Sequence, residues 1–111
     1  MPPPVFDPTT WQIEDWKRIT WGPVTESGIV CQTPAFLFSA ALTEDGSGNA
    51  VADVYDGHLA LATLKHVHLM ALANITFQKS WNPPLYFSQG IFVDLGTNAL
   101  CVNVQYLPWS R

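Results

Sequence analysis

The sequence predicts an all-β domain, an antiparallel β-sandwich or jelly roll of about seven or eight short strands with an extended N-terminal arm. Three observations predict it. Short runs of β-branched and aromatic residues alternate with polar ones at period two, the mark of a strand with one buried face. Asp-Gly and Gly-rich turn signals recur roughly every 8–12 residues, the spacing of sandwiches and small barrels. The chain of 111 residues is 48% hydrophobic and only 13% charged, against about 25% charged in an average soluble domain. It is therefore too apolar to be disordered, and its length suits one domain.

Composition changes near residue 23. The segment before it holds four of the nine prolines (Pro2, Pro3, Pro4, Pro8) and three of the five tryptophans. Pro2 to Pro4 favour an extended chain, because proline fixes φ and has no N–H to donate. Trp11, Trp16 and Trp21 recur every five residues, which matches neither the helical nor the strand period. A short helix over 11–18, capped by Thr10, is the alternative for this stretch. The expected organisation is an arm over 1–22 and a sandwich over 23–111.

The strands follow in order. Ile29 to Gln32 is a β-prone run after Gly28, and Ala35 to Leu42 is a second run after Pro34. The stretch Thr43 to Asn49 is a turn centred on Asp45-Gly46. In Ala50 to Tyr55, the side chains of Val51, Asp53 and Tyr55 oppose those of Ala52 and Val54. Asp56-Gly57 is another turn, and the two turns together suggest antiparallel hairpins. A loop or one helical turn is expected over 58–63, then a strand over 64–72 with His66 and His68 on one face. Asn74 to Gln78 is read as a continuation after a bend. Pro83-Pro84 is expected to break the chain, and Leu85 to Phe87 to form a short strand. Gly90 to Leu95 and Leu100 to Tyr106 alternate on either side of Gly96-Thr97-Asn98 and read as a hairpin.

The formal charge is −4, and the five basic residues, Lys17, Arg18, Lys65, Lys79 and Arg111, are scattered. Phosphate binding needs several on one face, so no nucleic-acid partner is expected. Met1 to Phe6 has neither a basic nor an apolar signal region, so no secretory leader is expected. The apolar stretch 59–73, interrupted by Lys65, His66 and His68, is too short and polar for a membrane span. Cys31 and Cys101 are expected as free thiols.

Catalytic signatures are weak. Ser39, Ser47, Ser80 and Ser88 lie in no nucleophile-elbow context. The pairs Glu14-Asp15 and Glu44-Asp45 read as solvated acids, and Gly46-x-Gly48 lacks the Gly-Lys of a phosphate loop. His66 and His68 could hold a metal with His58, Asp53 or Asp56. With no Cys or Glu ligand close by, they read as a polar face or a subunit contact. No enzyme activity, metal or cofactor is expected.

From Asp53 onward the chain resembles small uncharacterised virion structural proteins of tailed bacteriophages. The resemblance rests on Asp53-Val54-Tyr55-Asp56-Gly57, Pro84-Leu85-Tyr86-Phe87, Gly90 to Gly96 and Val102-Asn103-Val104-Gln105-Tyr106. It covers roughly the C-terminal half and leaves out the arm. It implies a compact β-sandwich or jelly-roll subunit of a virion, a head decoration or neck protein, assembled in the host cytoplasm. The expected partners are copies of itself, in a symmetric oligomer such as a trimer, and the major capsid protein or other virion proteins. The expected contacts are Phe6, Trp11, Trp16 and Trp21 in the arm, and Asp53, Tyr55, His66 and His68 on otherwise apolar strands. Each indole can bury roughly 200 Å², worth several kcal/mol at about 25 cal/mol per Å². A neighbouring subunit is therefore the expected receiver of the arm, with packing on the chain's own sandwich as the alternative. A glycan-binding sandwich on a virion fibre and a cupin-like enzyme using His58, His66 and His68 are the competing readings.

Overall fold

The computed structural model describes residues 19–109. These residues form eight strands: β1 (Thr20–Val24), β2 (Gly28–Cys31), β3 (Ala35–Glu44), β4 (Ala50–Asp56), β5 (Lys65–Ala71), β6 (Phe77–Phe87), β7 (Ile91–Leu95) and β8 (Ala99–Pro108). A single 3-10 turn, Ala62–Leu64, leads into β5. Sheet A has the order β1-β8-β3-β6, and sheet B the order β2-β7-β4-β5. All pairings are antiparallel. Successive strands cross from one sheet to the other except at β4–β5, which is the jelly-roll way of closing two Greek keys into a sandwich.

Alternation decides what lies between the sheets. Ala40 and Leu42 on β3, Ala52 and Val54 on β4, and Val67 and Leu69 on β5 all face the core. Small and large side chains interleave there, as dense packing of two sheets requires. Full burial of a Leu, Ile or Phe such as Leu69, Ile91 or Phe87 is worth about 1.5–3 kcal/mol. The alternation expected for Val51 to Tyr55 holds, and so do the strand at 65–71 and the helical turn before it. Both cysteines are free thiols, Cys31 buried and Cys101 half-buried.

Several local expectations are corrected. β7 and β8 do not form a hairpin, because they lie in different sheets. The turn at 96–98 is instead a corner of the sandwich. The Asp45-Gly46 turn is a second such corner, between β3 and β4. The two corners are tied together: Asp45 N–H donates to Asn98 O at 2.9 Å, and Gly96 N–H to Val51 O at 2.9 Å. Gly96 is needed for this approach, since a Cβ there would lie 2.7 Å from Val51 Cγ2 and 2.9 Å from Val51 O. Period-two alternation reveals a strand and its buried face, but a strand that pairs and one that crosses the core present the same pattern.

Asn74 to Gln78 does not extend β5; β6 starts at Phe77 and joins the other sheet. Pro83 and Pro84 lie within β6 rather than ending it. Pairing with β3 lapses between Ser80 and Leu85, and β6 is an edge strand, where missing N–H groups are tolerated. The boundary at residue 22 falls inside β1, so Trp21 belongs to the sandwich. The possible helix over 11–18, with Phe6, Trp11 and Trp16, lies outside the described residues.

Candidate functional site

The outer face of sheet B gathers a set of polar and aromatic side chains that strand alternation turns away from the core. Tyr55 on β4 is paired with Phe92 on β7, which is paired with Ile29 on β2. The Tyr55 and Phe92 rings meet edge to face with centroids 6.2 Å apart. One row along, Asp53 stands opposite Asp94 on one side and His68 on the other. Val51 and Met70 form the next row.

Two carboxylates directly opposite each other repel, and each has its own compensation. Asp53 Oδ1 is 2.6 Å from His68 Nδ1, and Asp53 Oδ2 is 3.4 Å from Lys65 Nζ. Asp94 accepts the Ser27 hydroxyl at 3.0 Å, and that hydroxyl oxygen accepts Leu95 N–H at 2.8 Å. The result is a charged row across three strands, framed by apolar and aromatic rows. Such a surface can set orientation by charge and gain affinity from the surrounding apolar area.

Of the residues expected at an interface, Asp53, Tyr55 and His68 share this face. His66 does not. Register shifts between Val54 and Tyr55, so that Tyr55 opposes Lys65 and Val54 opposes Val67. His66 is the extra residue of this β-bulge, and a bulge re-aims its side chain. Its ring packs edge-on against core residue Phe87, centroids 4.7 Å apart. The expected His66–His68 pair is thus split, and its metal reading loses its geometry. Among the described residues no three His, Cys, Asp or Glu side chains converge as metal ligands. Trp21 lies on sheet A and is 65% exposed. Sequence reasoning missed Asp94, Lys65 and Ser27 as members of the sheet B face. Asp94 was readable as outward, sharing a side with Phe92, but the pairing that sets it beside Asp53 was not.

The loop end of the sandwich carries a second polar cluster, which is structural. Asp56, at the end of β4, accepts N–H groups from Ser88 at 3.0 Å and Gln89 at 2.8 Å, and the Ser88 hydroxyl at 2.8 Å. Burial opposes its charge, but the hydrogen bonds from Gln89, Ser88 and Gly90 outweigh this and hold its carboxyl below the ordinary value. His58 Nε2 lies 2.9 Å from Gln32 O and 3.0 Å from Gln89 O. Both are acceptors, so that nitrogen carries the proton. These contacts clamp three loops together through His58 Nε2.

A cleft of about 360 Å³ opens between the edge strands β1 and β2, lined by Val24, Ile29, Val30, Val104 and Tyr106, with Glu26 at its side. Burial and the neighbouring Cys31 thiol push the Tyr106 phenol above its ordinary pKa. The cleft gathers no group of acid, base and nucleophile. No family model, curated protein or solved structure matches the chain.

Proposed function

We propose that the chain is a non-enzymatic structural subunit of a tailed-bacteriophage virion, a head decoration or cement protein that assembles as a symmetric oligomer on the head lattice. The observation that carries this reading is the surface of the sandwich. Large apolar side chains stand exposed all round it: Trp21 and Ile29, Leu59 and Leu61 on the β4–β5 loop, Leu72 and Ile75 on the β5–β6 link, Met70, and Leu100. A charge-poor body with scattered exposed apolar groups suits a protein whose surface is shared among neighbours. The jelly roll supports the reading as a rigid scaffold that recurs in capsid and lectin domains and in cupins. Virion subunits need no chemistry; many equivalent weak contacts multiply into firm attachment.

Within this reading the sheet B face, with Asp53 and His68 beside the covered Tyr55 ring, is the contact between copies or with the capsid protein, and Trp21 is a second anchor. A place in the neck or tail would use the same faces. The glycan reading has less support, because Tyr55 is only 6% exposed and offers no open ring to a sugar. Quantitative mass spectrometry of purified phage particles whose genome carries the gene tests the proposal. A copy number matching the head lattice supports a decoration role, and a low count moves the protein to the neck. Its absence from the particle refutes the proposal.

A further inference from the structure

One end of the outer face of sheet A, around Phe36 and Leu107, is closed to solvent where a bare sandwich would be wet. Phe36 and Leu107 stand opposite each other on β3 and β8. Their chain neighbours Ala35, Leu37 and Tyr106 pack on the core, so alternation turns Phe36 and Leu107 outward. Yet Phe36 is 1% exposed and Leu107 0%. Ser39, the next outward position beyond the register shift in β3, is 6% exposed and bonds Gln105 Oε1 at 3.3 Å. The rings of Tyr86 and Trp109 flank Phe36 at 5.4 and 5.1 Å. None of Phe36, Phe38, Pro108 and Trp109 is without further partners. All of this closure is reached within a single chain.

The chain enters the sandwich beside this stripe. Thr20, the first residue of β1, pairs with Tyr106, the neighbour of Leu107. Phe36 lies two strands over from β1, about 10 Å away. Eighteen residues precede Ile19, and they include Phe6, Trp11, Ile13 and Trp16. A segment of that length reaches up to about 60 Å, ample to cross the sheet.

We propose that the outer face of sheet A is the seat of the chain's own N-terminal segment, residues 1–18, with Trp11 and Trp16 set against the Phe36–Leu107 stripe. Tethering favours this occupant: a segment joined at Ile19 meets the stripe at the effective concentration of a short linker, whereas a neighbour's segment must first associate. The inference is independent of the virion reading, since a self-seated segment is compatible with any partner. It departs from the expectation that the arm's rings shelter on another subunit.

Paramagnetic broadening in the full-length chain tests it. Cys101→Ser removes the half-buried thiol, and Thr10→Cys accepts a nitroxide next to Trp11. In the 15N-labelled, nitroxide-bearing chain, the amide signals of Phe36, Ser39 and Leu107 are expected to be lost, and to return when the nitroxide is reduced. Signals of Met70 and His68, on the far sheet, should persist and report that the variant is folded. A mixture of nitroxide-bearing unlabelled chain with 15N chain lacking the nitroxide is expected to show no loss. Loss confined to the mixture would put a neighbour's segment on the stripe and overturn the proposal. Intact signals in both samples would overturn it as well.

Discussion

Asp53 and His68 stand directly opposite each other on β4 and β5, with Oδ1 2.6 Å from Nδ1. Among the described residues, the contact joins the only two consecutive strands that share a sheet. Half of the His68 side chain is open to water, so solvent weakens the pair. A double-mutant cycle with Asp53→Ala and His68→Ala, read by urea unfolding, should give a coupling of about 0.2–1 kcal/mol, smaller at high salt. If the sheet B face is a contact between copies, the same variants should weaken assembly more than they weaken folding.

Asp56 should govern acid stability. Its carboxyl is held below 3.8 by the Ser88 and Gln89 hydrogen bonds. A group whose pKa is lower in the folded than in the unfolded chain stabilises fully above the unfolded value. That stabilisation fades as pH falls through the folded value. Asp56→Asn should cost about 1–2 kcal/mol at neutral pH, after allowance for solvent around a partly exposed group. The gap between variant and wild type should close as pH drops below 3.8. Thermal unfolding followed from pH 7 to pH 2 checks this.

Gly90→Ala should be among the most damaging single changes. The backbone there has φ of +151°, and a Cβ would lie 2.5 Å from Cys31 O and 3.0 Å from His58 Nε2. The backbone cannot yield without breaking the clamp around His58. A loss of about 2 kcal/mol or more is expected. At Gly22 an added Cβ meets nothing within 4 Å, so Gly22→Ala should stay within about 0.5 kcal/mol. Paired denaturation curves separate the two.

Trp21→Ala should leave stability within about 0.5 kcal/mol of wild type, because the ring is mostly in water. If Trp21 anchors a neighbour, the same change should shift the sedimentation profile toward smaller species. An unchanged profile would remove Trp21 from the interface.

The strands were legible because their alternation is strong. Val51 to Tyr55 and Gly90 to Leu95 each displayed both faces to the eye, and Tyr55, Asp53 and Asp94 could be placed outward. Partner choice was not legible. Nothing in Gly96-Thr97-Asn98 distinguishes a hairpin from a corner, since both need a tight reversal and both leave one buried face per strand. The displacement of His66 from the sheet B face has a similar origin. A period of two holds only while the register holds, and the shift at Tyr55 is set by the neighbouring strand rather than by His66 itself. The closure over Phe36 was also hidden, because apolar residues on both faces of β3 look like an ordinary core strand.

The position of β8 has a consequence for how the molecule is made. Strand β8 lies between β1 and β3, so two of the three pairings in sheet A wait for it. A growing chain can zip β4 to β5 early, but β1 stays single until β8 has been made. Sheet edges left open that long are targets for pairing with other chains. Closure of that sheet is thus tied to the arrival of β8.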